Sequence, residues 1–310
     1  MDAEYRDRAA SLTDVAAVVE LLREHEIADH GRVTADWNEI VRFVWRDPGF
    51  DVRQDGRIVE RGGVPVAFAG VFREDDAGVE PFNSWMAFPP ARRGGGALPF
   101  LVDRVVARAR ERRARSLYHL VYRNDDAHRV VALERGFRRV RSSWTMHREI
   151  GPEGPTAGPP DGIRFTTLAE HPDERSLYRA DQEAFADHFG FAAEAFDVWR
   201  ERRFDADDDD RSRWLLALDG DQIVAFLRQV TGGEVAQVAA LGTRKPWRGR
   251  GIASALLRRA FTEMASAGHR EVTLWVDAEN ETGAVGLYER VGMRSIVVDD
   301  TYQLELASAS

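Results

Sequence analysis

One short pattern occurs twice in this chain, 156 residues apart, and that period constrains the fold more than any other feature. Arg248, Gly251 and Ala253 form R-x-x-G-x-A within Pro246-Trp-Arg-Gly-Arg-Gly-Ile-Ala253. Arg92, Gly95 and Ala97 repeat it, with Pro90 again two places ahead of the arginine. At the same offset Asn280 maps to Asn124 and Gly292 to Gly136, whereas Tyr288 maps to Ala132. So long a period marks a duplicated domain and not a solenoid unit, so two related domains with unequal equipment are expected.

A break lies where this reading needs one. Residues 151–162 hold four Gly and four Pro, a composition that sustains neither helix nor ladder strand. The expected domains are therefore 1–150 and 163–310, joined by a linker at 151–162. In the second half, strands are predicted near 163–168, 213–218, 222–231, 234–242, 271–276 and 293–306, with Asp219-Gly220 as a hairpin turn. Helices are predicted near 173–188, 192–203 and 281–291. A further helix from Ile252 carries Leu256, Leu257, Ala260, Phe261 and Met264 on one face and ends at Gly268. The first half repeats the order, with a helix after its glycine loop, strand 116–122, helix 125–135 and strand 137–148. Strands and helices mixed in this order predict an α/β fold, each domain a mixed, partly parallel central sheet flanked by helices.

Composition narrows the function. A net charge of −9 argues against nucleic acid as the main partner, because phosphate binding draws on clustered positive charge. No run approaches the ~20 apolar residues of a membrane span. The charged N-terminus lacks an apolar signal segment, and the absence of cysteine suits a reducing compartment, so a cytoplasmic protein is expected. The chain has no cysteine nucleophile and no thiolate metal site. The acid run Asp207 to Asp210 reads as a solvated loop, and no metal is expected. Of the 43 basic residues only Lys245 is lysine, a bias that arginine codons in a GC-rich genome would produce.

The glycine loop is the first candidate site. Gly249 and Gly251 fall between a predicted strand and a helix N-terminus, where unpaired backbone N–H groups and the positive end of the helix dipole suit a phosphate. Arg248 and Arg250 add charge; a plain tight turn with solvent-facing arginines is the alternative. A dinucleotide fingerprint is disfavoured, since Ser254 stands at the third glycine position and Asp277 lies further from Gly251 than the ~20 residues of that motif.

The R-x-x-G-x-A loop, its amphipathic helix, the following strand, Asn280 and the run Leu287-Tyr288-Glu-Arg-Val-Gly292-Met293 together resemble the GCN5-related N-acetyltransferase (GNAT) superfamily. With the linker and the repeat, the chain is similar to the tandem-GNAT arrangement of mycothiol synthase-like enzymes. The resemblance implies that the loop Arg248, Gly249, Arg250, Gly251, Ala253 and Ser254 holds the pyrophosphate of acetyl-CoA. It implies that Leu241 and Thr243, at the end of the preceding strand, hydrogen-bond the pantetheine arm, and that Asn280 contacts the cofactor. Tyr288 matches the tyrosine beside the thioester sulfur, and a phenol of pKa ~10 can protonate a departing thiolate; the competing reading is a core aromatic. Glu234 opens the strand toward the loop, where bases of the superfamily are found, and is the candidate general base. Gln237 stands where mycothiol synthase has a glutamate, a departure that bears on substrate. Asp187 and His188 are candidates for the acceptor pocket, with a helix C-terminal cap or surface feature as the competing reading.

The implied activity is acetyl transfer from acetyl-CoA to a primary amine of a small molecule by direct attack in a ternary complex, with the chemistry in the C-terminal domain and the N-terminal domain degenerate. A non-catalytic acyl-CoA-binding or sensing protein is the alternative. For the first copy two readings stand: an inactive domain that still binds CoA, or a structural partner. Nucleic acid and membrane are not expected partners, and composition is silent on oligomeric state.

Overall fold

A computed structural model describes residues 4–47, 49–73, 82–94, 96–151, 158–189, 191, 193–204, 210–233, 235–280 and 283–306. Gly95, Asp207 to Asp209, Glu234 and residues 152–157 of the Gly/Pro run lie outside the described residues. Contacts divide the chain into two compact units. Unit 1 is Met1–Ser143 with Val297–Ser310, and unit 2 is Trp144–Ile296.

Unit 1 contains β1 (Tyr5–Ala9), α1 (Val15–His30), α2 (Trp37–Arg46), α3 (Val52–Asp55), β2 (Gly56–Arg61), β3 (Val64–Arg73), β4 (Phe82–Ala87), α4 (Ala97–Glu111), β5 (Ser116–Tyr122) and α5 (Asp126–Glu134). Strand β6 (Arg138–Glu149) begins in unit 1 and ends in unit 2. Unit 2 continues with β7 (Ile163–Thr167), α6 (Glu174–Phe185), α7 (Phe196–Arg203), β8 (Trp214–Asp219), β9 (Gln222–Val230), β10 (Ala236–Thr243), α8 (Ile252–Ser266), β11 (Glu271–Asp277) and α9 (Ala284–Arg290). Strand β12 (Arg294–Glu305) runs the other way, from unit 2 into unit 1. Among the described residues no helix is long and apolar enough to cross a membrane.

The strand order is β1-β2-β3-β4-β5-β12 in unit 1 and β6-β11-β10-β9-β8-β7 in unit 2. β4 pairs with β5 and β10 with β11 in parallel, whereas β1–β2, β2–β3, β3–β4, β5–β12, β7–β8, β8–β9 and β9–β10 are antiparallel, so each sheet is mixed. The long strands change the sequence-level boundary: Asp299–Glu305 of β12 pairs with Tyr122–Ser116 of β5. Each crossing is closed by a backbone bond, Leu306 N–H to Arg115 O in unit 1 (2.6 Å) and Ile150 N–H to Arg270 O in unit 2 (2.8 Å).

Each sheet buries an apolar layer on both faces, as helices on both sides of a sheet require. In unit 2, α8 lays Ile252, Leu256, Leu257, Ala260, Phe261 and Met264 on the sheet, the stripe its sequence period foretells. Full burial of a side chain such as Leu257 or Phe261 contributes ~1.5–3 kcal/mol. Gly268, at φ +98°, ends the helix, its N–H bonding Ala265 O while His269 N–H reaches Met264 O. The opposite face is packed by α6 and α7 through Leu177, Ala180, Ala184 and Trp199.

The structure shifts the repeat register. The loop glycines in left-handed conformation that cap α4 and α8 are Gly96 (φ +71°) and Gly251 (φ +78°), and the helices begin at Ala97 and Ile252. Arg93 Nε donates to Phe88 O (2.9 Å) as Arg248 Nε donates to Thr243 O (3.1 Å). The offset across the loop is therefore 155, not 156. It returns to 156 at the ends of α5 and α9, where Phe137 N–H bonds Ala132 O and Met293 N–H bonds Tyr288 O. The one-residue difference is taken up between Asp125 and Ala132. Thus Arg93 is the counterpart of Arg248 and Asp125 that of Asn280, while Ala132 remains the counterpart of Tyr288.

Unit 1 also buries a polar chain. Ser84 Oγ lies 2.6 Å from His119 Nδ1, and His119 Nε2 lies 2.7 Å from His128 Nε2. In that N···N contact one imidazole donates and the other accepts, so the pair is incompatible with two imidazolium ions. Burial lowers the pKa of His119 to about 4, and burial followed by the charge of His119 lowers that of His128. A histidine whose folded pKa is depressed takes up protons on unfolding, so its contribution is intact above pH 6.5 and is lost as pH falls below that value. Unit 1 is therefore expected to lose on the order of 3 kcal/mol through His119 alone between pH 6.5 and 4. Thermal unfolding across that range checks this: the melting temperature of His119→Leu should depend less on pH than that of wild type, and equal slopes would refute it.

Candidate active site

The site in unit 2 arises where two parallel strands stop pairing. β10 pairs with β11 at Ala236–Val272 and Gln237–Thr273. Its other edge stays bonded to β9 as far as Thr243–Ala225, with a register shift between Val238 and Ala240. Beyond Gln237 a cleft of about 600 Å³ opens between Val238–Thr243 of β10 and Leu274–Asp277 of β11. That size suits a small-molecule ligand. Alternate N–H and C=O groups of β10 that would have met β11 instead face this cleft, a free strand edge for an extended ligand.

The cleft runs onto the start of α8. Gly249 (φ +76°) and Gly251 (φ +78°) both adopt the left-handed conformation that only glycine accepts cheaply, and a Cβ at either would meet nothing within 4 Å. Helix bonding begins with Ala255 N–H on Gly251 O, so the N–H groups of Ile252, Ala253 and Ser254 precede the ladder. Ala253 and Ser254 both line the cleft. An anion there meets backbone donors and the positive helix end.

Arg248 is placed differently from a free phosphate ligand. Its guanidinium donates to Thr243 O (3.1 Å), Ala184 O (3.0 Å) and Asp187 (3.3 Å), and its own N–H bonds Lys245 O. It ties the end of β10, the end of α6 and the loop together. Asp187 is held below the ordinary carboxylate range by Lys245 and Arg248, so its part is in this clamp. Arg250 pairs loosely with Asp219, at 3.9 Å. The anion-facing donors of the loop are thus chiefly backbone N–H groups.

The remaining sequence candidates converge on the cleft, apart from Glu234, which lies outside the described residues. Leu241 and Thr243 form its β10 wall, and Thr243 Oγ1 is buried with no hydrogen-bond partner among the described residues, a donor open to a ligand. Asn280 Nδ2 lies 3.4 Å from His188 Nε2, so that nitrogen of His188 is the acceptor. His188 packs edge-on against Phe185 and burial lowers its pKa, which favours the neutral ring at pH 7. Tyr288 lies at the cleft from α9, 8% exposed, with its pKa pushed up to about 12 by burial. The phenol is therefore a proton donor through the neutral range.

Two lining residues carried no signal in the chain. Gly283, in left-handed conformation (φ +75°), caps α9 beside the cleft. Trp275 is 58% exposed although Leu274 and Val276 beside it are buried, and it faces the cleft from β11. A large exposed aromatic in one strand of an otherwise buried sheet is the sequence cue that would have found it, once the strand's faces were known.

Comparison with known proteins agrees with this geometry. Residues 175–293 match the family described as Acetyltransferase (GNAT) family. The chain is 31% identical to a mycothiol acetyltransferase of Clavibacter sepedonicus over 248 residues, covering 76% of each protein. The chain belongs to the GNAT acetyltransferase family. Other mycothiol acetyltransferases match over 57–60% of their own length. Among solved structures, a GCN5-related N-acetyltransferase from Sphaerobacter thermophilus superposes with a TM-score of 0.79 at 28% identity, covering 98% of this chain and 96% of that one. A tandem GNAT protein from the clavulanic acid biosynthesis pathway shares the fold, with a TM-score of 0.75 at 16% identity, covering 99% of this chain and all of that one. Membership and fold are thus of the tandem GNAT, mycothiol synthase-like kind.

Proposed function

We propose that unit 2 binds acetyl-CoA and transfers its acetyl group to a primary amine of a small molecule, both substrates being held at once. The observation that carries this reading is the cleft itself: a free strand edge, an open helix start and a buried phenol lie along one continuous surface. The open glycines and the orphan Thr243 hydroxyl suit a phosphate-bearing, amide-rich ligand.

In the proposed reaction the N–H groups of Ile252, Ala253 and Ser254 hold the pyrophosphate, and the edge of β10 around Leu241 and Thr243 pairs with the pantetheine arm. An N–H of β10 polarises the thioester carbonyl. The amine nitrogen attacks the carbonyl carbon, the C–S bond breaks, and Tyr288 passes its proton to the departing thiolate. Glu234 is the proposed acceptor of the amine's proton. Without cysteine the chain has no thiol to carry an acyl intermediate, which supports direct transfer. The relatives named mycothiol acetyltransferase make a mycothiol precursor amine the first acceptor to test, and exposed Trp275 supplies an apolar platform for it.

The expected result is amine-dependent release of CoA from acetyl-CoA, followed with a thiol reagent across a panel of small amines that includes mycothiol precursors. Tight CoA binding without release for any amine would favour the sensing alternative instead.

A further inference from the structure

Resting on the cofactor reading of unit 2, we infer that unit 1 takes no CoA, because its corresponding cleft is filled from within by Tyr5, His25, Arg93, His119, Asp125 and His128. The chain then binds one acetyl-CoA, in unit 2.

Offsets of 155 as far as Asp125 and 156 within α5 allow a position-by-position comparison. Leu274 and Ala284 line the cleft of unit 2. Their counterparts, His119 and His128, are buried and joined by the 2.7 Å contact between their Nε2 atoms. Where Ala284 is only partly buried, His128 is 2% exposed. The gap that admits a ligand in one unit is bridged in the other by two imidazoles.

The strand end is closed in the same way. Thr243, on the cleft wall, corresponds to Phe88, which is fully buried and whose N–H donates to His25 Nδ1 (3.4 Å). His25 Nε2 in turn lies 3.3 Å from Asp125 Oδ2 and 3.2 Å from Arg93 Nη2. Asp125 corresponds to Asn280, but its carboxylate also accepts from Arg93 Nη1 (2.6 Å) and from the backbone N–H of His128 (3.1 Å). Burial pushes its pKa up, yet the bonds from His25 and Arg93 hold Asp125 well below the usual carboxylate range, so it stays charged and paired. Entry of a pantetheine amide would break this set and leave a buried charge without its partner.

The loop is covered as well. A Cβ on Gly249 would meet nothing within 4 Å, whereas one on its counterpart Gly94 would lie 2.7 Å from the hydroxyl of Tyr5. Arg61 Nη1 donates to that hydroxyl (3.3 Å). Strand edge, ligand gap and loop are three separate places, and side chains of unit 1 occupy all three.

Calorimetric titration of acetyl-CoA into the full chain tests this by counting sites in wild type, Gly251→Glu and Ser254→Glu. The last places an acid in the first turn of α8, where it favours the helix but repels a pyrophosphate, so it guards against misfolding of the glycine variant. The expected result is one site in wild type and at least a 100-fold loss of affinity in Ser254→Glu, with no second site remaining. Two sites in wild type, one of them surviving both substitutions, would overturn the inference while leaving the reading of unit 2 standing; a single wild-type site that survives both would overturn the two together. No binding in wild type would defeat the reading of unit 2 and this inference with it.

Discussion

Tyr288→Phe is expected to lower kcat by ~10²–10⁴-fold, the range for loss of a positioned general acid, with little change in KM for acetyl-CoA. The substitution keeps the ring, which packs among the apolar residues under α8, and removes only the hydroxyl. Folding should therefore be nearly unchanged, and the effect should fall on the chemical step. Because burial pushes the phenol's pKa up to about 12, wild type should keep the proton needed by the thiolate from neutral pH to at least pH 10. An alkaline fall in kcat within that range would have to come from another group. Steady-state kinetics of both proteins, with an amine found to be a substrate, provide the check. An unchanged kcat in the phenylalanine variant would assign Tyr288 to the core and remove it from catalysis.

Gly242→Ala is expected to destabilise unit 2 by ~1–3 kcal/mol, the cost of overpacking a close-packed interior. A Cβ there would overlap Phe226 Cζ and lie 2.9 Å from Ala184 Cβ. Phe226 is fully buried against Phe185 and Trp214, with ring centroids at 6.0 and 6.1 Å, so it has little room to yield. Gly242 is absent from the left-handed glycines, and the penalty is therefore steric and not a matter of φ. Relief comes by shifting β10, whose free edge forms the cleft wall, so acetyl-CoA binding should weaken together with stability. Urea denaturation gives the first quantity and calorimetry the second. A midpoint equal to that of wild type would show that the contact relaxes at no cost.

Much of this was legible because it is local. The stripe Ile252, Leu256, Leu257, Ala260, Phe261 and Met264 follows from helical period alone, and Gly268 ended the helix where a left-handed residue was needed. The loop glycines were readable because a backbone turning from strand to helix here takes positive φ at Gly249 and Gly251, which glycine alone accepts cheaply. The repeat was readable too, but its register was not. Arg92 and Arg93 are both arginine, and nothing in the chain distinguishes them. The bond from Arg93 Nε to Phe88 O, matching that from Arg248 Nε to Thr243 O, made the choice. The role of Arg248 was likewise hidden, since the oxygens that engage it include Ala184 and Asp187, some 60 residues earlier.

By itself, then, the sequence determined that there would be two related α/β halves, an anion-suited glycine loop at the start of an apolar-faced helix, and a tyrosine in one copy only. These are properties of residues near one another in the chain, where periodicity and conformational preference act directly. Tertiary structure alone decided the separation of β10 from β11 that makes a cleft, the passage of β12 into the sheet of unit 1, and the filling of that unit's cleft by His25, His119 and His128. Each depends on groups brought together across tens to nearly two hundred residues, and hydrogen bonding and close packing select such partners only once the chain has folded.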